Sequence, residues 1–404
     1  MTASTSRASA ATIHVRSDIL AAVCLTVIGF VGLLIGNVGP DDRLVISGLP
    51  LNTFIYVFFF AALFYSQPRK DDLRLIFLYA APLALLAPTI LYSYDQAYGL
   101  FKYANLILVQ IFCCAYWVSA IRVGGLTLWL KTLNAILFFL MMAALVFKLR
   151  YGFFDRQVPF FMNGPIVFGR LMGVGVILSM VIHRGWLRVA LIALFLFGVF
   201  WSASKGPILA TMVIVFLAMN VVLSVKGRLI ALGLISVFVG GAIWAALAFG
   251  DGDAGRIVLL LDLLTMDREA LAQSSSISIR ASVYLQSWEL VASKPFGVGL
   301  GGWAPAISDP KNLYYPHNLF LELFSEAGLF LGLVALIPFV AFVVFPKSPL
   351  KYIALFFLIV QQVSGDLLDA RYITVFGFFA VWVHANVGDP SLSIQDSGIR
   401  GNLW

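Results

Sequence analysis

Charge is scarce in this chain. Asp, Glu, Lys and Arg make up 12% of its 404 residues, against roughly 25% in soluble domains, while hydrophobic residues reach 61%. So little charge excludes a water-soluble globular protein of this length. Cysteine is scarcer still. Cys24, Cys113 and Cys114 all fall inside apolar runs and form neither a metal nor a disulfide spacing. The chain has no HExxH step or other convincing metal cluster, so no metal is expected, and no order of Ser, His and Asp suggests a hydrolytic triad. It also has no 20–50-residue repeat, no low-complexity segment beyond a short Ser/Thr/Ala-rich stretch at 1–18, and nothing that suggests nucleic acid. That stretch is too polar for a signal peptide. The apolar run from Ile19 is longer than a signal core and lacks a convincing cleavage site, so an uncleaved first span is expected.

Apolar runs of about 16–22 residues are abundant, each long enough to cross a hydrocarbon core of about 30 Å. About twelve occur, from 19–38, 46–66 and 75–93 through 100–120 and 165–183 to 372–387. Unpaired backbone groups are not tolerated in lipid, so these runs should be helices. The expectation is an all-α integral membrane protein of about twelve transmembrane helices. A tail (1–18) precedes helices 1–9 (19–249). One large loop with short helices (250–317) follows, then an interfacial helix with helices 10–12 (318–387) and a second tail (388–404).

One set of short loops carries Arg69, Lys70, Arg74, Arg122, Lys131, Arg184, Arg188, Lys226, Arg228, Lys347 and Lys351. The positive-inside rule puts these in the cytoplasm and the 250–317 loop outside, in the periplasm if the protein is bacterial. Arg170 and Lys205 lie on the outer side, at or within span ends. A cation there costs a few kcal/mol unless it snorkels or meets an anion. Several cations converging on one face point to an anionic ligand, and in a membrane that suggests a lipid pyrophosphate.

His317 differs from His14, His183 and His384 in its setting. It follows Tyr314-Tyr315-Pro316 and precedes a run in which Leu and Phe alternate with Glu322, Ser325 and Glu326 at helical spacing. That pattern predicts an amphipathic helix at the interface with His317 at its N-terminal end. The helix dipole would lower the imidazole pKa and favour the neutral form that a general base needs; a plain capping histidine is the alternative. Arg280, in the run Ser274 to Arg280, is expected at a helix start, where a guanidinium grips phosphate well; a solvated surface arginine is the alternative. The turn Pro295–Gly302 is no dinucleotide fingerprint, and close backbone packing and chain reversal are its expected role. Asp366, Asp369 and Arg371 at the last outer turn are placed to pair with one another.

The segments SASKGP (202–207), SIRASVYLQSWELVASKPFGVGLGGW (278–303) and YPHNLFLELFSEAGLFLGL (315–333) resemble the O-antigen ligase and polysaccharide polymerase superfamily. The resemblance covers about residues 160–345. It implies a GT-C-like helical membrane glycosyltransferase of the bacterial inner membrane, acting at the periplasmic face on undecaprenyl-pyrophosphate-linked glycans without cofactor or metal. It implies that His317 is the catalytic base, that Arg280 is a catalytic and pyrophosphate-binding arginine, and that Lys205 and Arg170 bind pyrophosphate. Lys205 stands where the family usually has arginine, which keeps the charge and loses the bidentate fork. The acceptor would be a second lipid-linked repeat unit (a polymerase) or lipid A-core (a ligase), with membrane lipids and a chain-length regulator as further partners. A transporter of the same glycan would instead need ionisable groups in mid-span and inverted repeats.

Overall fold

The computed structural model describes residues 4–35, 45–46, 49–50, 66, 68–153, 164–248, 275–307, 313, 315–344 and 348–386. Helix α1 (Ser4–Ile35) carries the first apolar run and starts inside the stretch 1–18, where an Ala-rich, proline-free sequence offers nothing to stop it. A small antiparallel ladder follows, Val45–Ile46 with Leu49–Pro50, and is the one departure from all-α structure among the described residues. It occupies the beginning of the run 46–66, so no helix starts at residue 46. Residues 51–65 lie outside the described residues, as do 250–274 of the long loop and the tail from 387.

Helix α2 (Lys70–Ala84) places Asp71 and Asp72 in its first turn, where the helix dipole favours carboxylates. The chain then tightens into a 3-10 turn, Ala87–Tyr92, with a proline at its start. The long helix α3 (Gln96–Tyr151) is followed by α4 (Pro165–Ile182), α5 (Gly185–Trp201), α6 (Lys205–Val222) and α7 (Val225–Ala248). The loop contributes α8 (Ser275–Ser293) and the short α9 (Trp303–Ala306). Four helices complete the chain: α10 (Leu319–Ala335), α11 (Ile337–Val344), α12 (Lys351–Ser364) and α13 (Ala370–Ala385). Among the described residues, five stretches are long and apolar enough to cross a membrane: Ser17–Leu34, Lys70–Tyr92, Gln96–Tyr151, Pro165–Ile182 and Leu319–Val344. Shorter apolar helices accompany them. The chain is a helical membrane protein.

Two glycines decide the path. Gly125 interrupts α3 with φ 83° and ψ 158°. The rings of Trp117 and Trp129, on either side of it, lie 5.2 Å apart, where an unbroken helix would separate them by about 18 Å. Helix α3 is therefore a hairpin of two helices. Gly328 breaks α10 in the same way, with φ 77° and ψ 171°.

The bundle has two chemically distinct ends. At one, the basic hinges gather. Arg122 pairs with Asp72 at 2.9 Å, Trp382 Nε1 donates to the same carboxylate at 2.8 Å, and Arg122 reaches Asn386 at 3.1 Å. At the other end lie the starts of α3, α4 and α6, the 295–302 turn, His317 and the 365–369 turn. The glycine-rich turn is stitched into that end by its backbone. Val298 N donates to Ser325 O at 3.0 Å, Gly299 N to Glu326 O at 2.9 Å, and Leu329 N to Pro295 O at 3.0 Å. On its other side, Ser93 Oγ donates to Leu300 O.

The expected interfacial helix is inside out. Glu322, Ser325 and Glu326 are fully buried. The exposed residues of α10 are Leu329, Phe330 and Leu333, beyond the Gly328 break. The polar stripe faces the protein interior because a buried lysine, Lys102, waits there for it.

Candidate functional site

His317 is held by the backbone on both sides. Its φ is 59°, a left-handed conformation in which histidine is tolerated better than most residues. Asn318 is the N-cap of α10, its side chain accepting from Leu321 N at 3.0 Å. His317 therefore precedes the cap and does not supply it, which removes the reading of a plain capping histidine. The Asn318 amide also donates to Gln362 O at 3.1 Å, tying the start of α10 to the end of α12. Tyr284 of α8 donates to that same carbonyl at 3.2 Å and lies 3.4 Å from His317 O. The Tyr315 ring meets the imidazole edge-on, with centroids 4.6 Å apart. Nδ1 of His317 is buried without a hydrogen-bond partner among the described residues. Ring packing and backbone geometry, not a carboxylate, orient this imidazole.

The electrostatics of the site centre on that ring. The His317 pKa is lowered to about 4, first by burial, then by the Arg280 and Arg170 guanidiniums. At neutral pH the imidazole is uncharged, kept so by burial and by two cations from different helices. Arg280 sits in the second turn of α8, half-buried, since the helix begins at Ser275 and not at the arginine. Arg170, on α4, is 2% exposed and ion-paired with Asp369. The anion that the buried cation requires is thus a protein carboxylate.

Asp369 also faces Arg371, at 3.7 Å, and its backbone N–H donates to Asp366 at 2.8 Å. The pairing expected within the last turn is present, and Arg170 joins it. Burial and the neighbouring Asp369 push the Asp366 carboxyl up to about 6. Burial, with the charges of Asp366 and Asp369, raises the Tyr315 phenol well above its ordinary range.

Lys205 is the first residue of α6, half-buried, after the N-cap Ser204 and a positive φ at Ala203. Its turn packs on α4 one residue from Arg170: a side-chain carbon added at Gly169 would come 2.6 Å from Ser202 Oγ and 3.2 Å from Pro207. The charges of Arg170 and Arg280 thus both act on His317, and the Lys205 turn is seated against the helix that carries Arg170. Among the described residues, no group of three or more His, Cys, Asp and Glu side chains is placed to hold a metal ion.

Sequence reasoning overlooked the best-connected charges at this end. Lys102 donates to Glu322 and, at 2.7 Å, to Glu326, all three fully buried. Glu322 also accepts from Leu367 N at 2.8 Å, and Glu326 lies 3.4 Å from Trp303 N. The signal was available: Lys102 is the only charged residue in the run 100–120. An ionisable group there is expected to face the bundle interior and find a partner.

Comparison with known proteins shows that a family model described as O-antigen ligase matches residues 189–337. That segment contains Lys205, Arg280 and His317 and excludes Arg170, Lys102 and Asp369. No curated protein matches the chain.

Proposed function

The chain carries the O-antigen ligase family's domain over residues 189–337, and on that premise we propose that it transfers a lipid-linked glycan to a sugar acceptor at the His317 end of the bundle. The substrates are an undecaprenyl-pyrophosphate-linked oligosaccharide donor and, as acceptor, the sugar end of another lipid-linked repeat unit. The protein is then a polysaccharide polymerase of the bacterial inner membrane with its site facing the periplasm. Transfer to lipid A-core is the second reading, favoured by the description of the matching family model.

One observation carries the step common to both: a buried imidazole whose Nδ1 has no partner among the described residues, kept neutral by burial and by the charges of Arg280 and Arg170. His317 accepts the proton of an acceptor hydroxyl as that oxygen bonds to the anomeric carbon. The carbon–oxygen bond to pyrophosphate breaks in the same displacement, inverting the centre. The lipid pyrophosphate leaves with the bonding electrons, its charge met by Arg280 and Lys205, with Arg170 behind them. Fixed cations supply that stabilisation. Donor binding also tunes the base: the pyrophosphate offsets the positive field that depresses the His317 pKa, so His317 becomes more basic when the donor is in place.

Two substitutions test the step in reconstituted membranes with a lipid-linked donor. His317→Ala is expected to abolish transfer, by 10²-fold or more as an order of magnitude for loss of a general base, while leaving the protein in the membrane. Retained activity would remove its role. Arg280→Lys is expected to raise the donor KM about tenfold, because a point charge lacks the planar fork, and an unchanged donor affinity would argue against a phosphate grip. The acceptor is read from the surface glycan of a deletion strain. A single capped repeat identifies a polymerase; uncapped core with polymer still on carrier lipid identifies a ligase.

A further inference from the structure

The three buried charges at the outer end have no place in the transfer step, and their connections suggest what they do. Lys102 lies on the first turns of α3, and Glu322 and Glu326 are four residues apart on α10, just after His317. The ammonium bonds both carboxylates, and all three side chains have zero exposure. Each carboxylate then reaches a further segment. Glu322 takes the backbone N–H of Leu367, in the turn whose Asp369 pairs with Arg170. Glu326 faces the N–H of Trp303, at the end of the glycine-rich turn, and its backbone carbonyl accepts from Gly299. Four segments distant in sequence meet on three side chains.

This arrangement is a poor device for stability alone. Two carboxylates share one ammonium, and one oxygen of Glu326 is buried without a partner among the described residues. A trio of apolar side chains would often stabilise such a core as well or better, whereas buried ionic groups are best attested as fixing register. Here the register at stake is that of His317, on the α10 segment, relative to Arg170, whose partner Asp369 is in the 366–369 turn.

We propose that Lys102, Glu322 and Glu326 are positioning residues that lock the His317 segment to the glycine-rich turn and to the 366–369 turn, so that the imidazole and Arg170 face the same space. The proposal rests on the glycan-transfer reading for its kinetic consequence but not for its structural one.

The test uses the full-length protein in lipid nanodiscs. Lys102→Met alone leaves two buried carboxylates uncompensated, so it is expected to lower Tm. The triple variant Lys102→Met/Glu322→Gln/Glu326→Gln removes the charges together and is expected to recover most of that loss. His317 is then probed by carbethoxylation with diethyl pyrocarbonate, followed peptide by peptide by mass spectrometry. The expected result is His317 modification about fivefold faster than wild type in the triple variant despite its recovered Tm, with kcat down about tenfold and donor KM within about twofold. If the triple variant does not fold, the isosteric Glu326→Gln is measured in its place, with about a threefold change in the same direction expected. Wild-type modification rates in the folded variant would overturn the proposal. Absence of glycan transfer by the wild type would instead remove the functional reading, and the modification rate would still decide the positioning role.

Discussion

At His317 the local sequence and the fold pull in different directions, and the fold decides the chemistry. Position in the chain suggested a helix-end histidine tuned by a dipole. In the structure Asn318 takes the cap, and burial, followed by two arginines, lowers the pKa. A pH prediction follows. In the proposed step His317 works in its neutral form, which exists above its pKa, so a depressed pKa would extend activity to lower pH. The acid limb of kcat/KM, which reports the free enzyme, is expected near pH 4. The limb of kcat, which reports the donor complex, is expected at higher pH because pyrophosphate offsets the arginines. Arg280→Ala removes one depressing charge and is expected to move the kcat/KM limb upward, toward the ordinary histidine value of about 6.5. A limb unmoved by that substitution would separate Arg280 from the base. The sequence singles out His317 as a candidate base and Arg280, Lys205 and Arg170 as candidate contacts for an anionic ligand. That Arg170 already holds a carboxylate is not legible there, because Asp369 lies 199 positions away in the chain.

Among the elements, the glycine-rich turn and α10 are the informative pair. The turn's close packing was legible from its composition, and the contacts give the reason for each glycine. At Gly299, φ is +83° and an added carbon would come 2.3 Å from the Ser93 Cα; at Gly328, φ is +77° and it would come 2.4 Å from the Phe296 carbonyl carbon. Both obstacles are backbone, which cannot swing aside. Gly299→Ala and Gly328→Ala are each expected to destabilise by about 3 kcal/mol, combining left-handed strain with overpacking. The check is the thermal midpoint of purified protein, with Gly233→Ala, which meets nothing within 4 Å, as the neutral comparison. The orientation of α10 was misread for a physical reason. Spacing reveals that a helix has a polar stripe, but not whether that stripe faces water or a buried partner. Only Lys102, from a helix more than two hundred residues earlier, resolves this.

At the scale of the molecule, the two ends of the bundle make a prediction about sidedness. Phe296, in the glycine-rich turn, is 82% exposed, and Trp186, in a basic hinge at the opposite end, is 80% exposed. With Cys24 first replaced by Ser, because it is exposed while Cys113 and Cys114 are buried, Phe296→Cys is expected to react with a membrane-impermeant maleimide from outside the cell. Trp186→Cys is expected to react only after permeabilisation. Labelling from the reverse sides would invert the topology and move the His317 site to the cytoplasm.

The sequence alone determined the solvent and the class. Charge this sparse and apolar runs this long leave helices in lipid as the way to pair every backbone group, and the motifs at 202–207, 278–303 and 315–333 pointed to the family. The tertiary structure decided which charges meet. Lys102 finds Glu322 and Glu326, Arg170 finds Asp369, and Arg122 finds Asp72 across separations of 50 to 224 residues. A buried charge is tolerable only beside its partner, and at such separations the partner is chosen by how the helices pack.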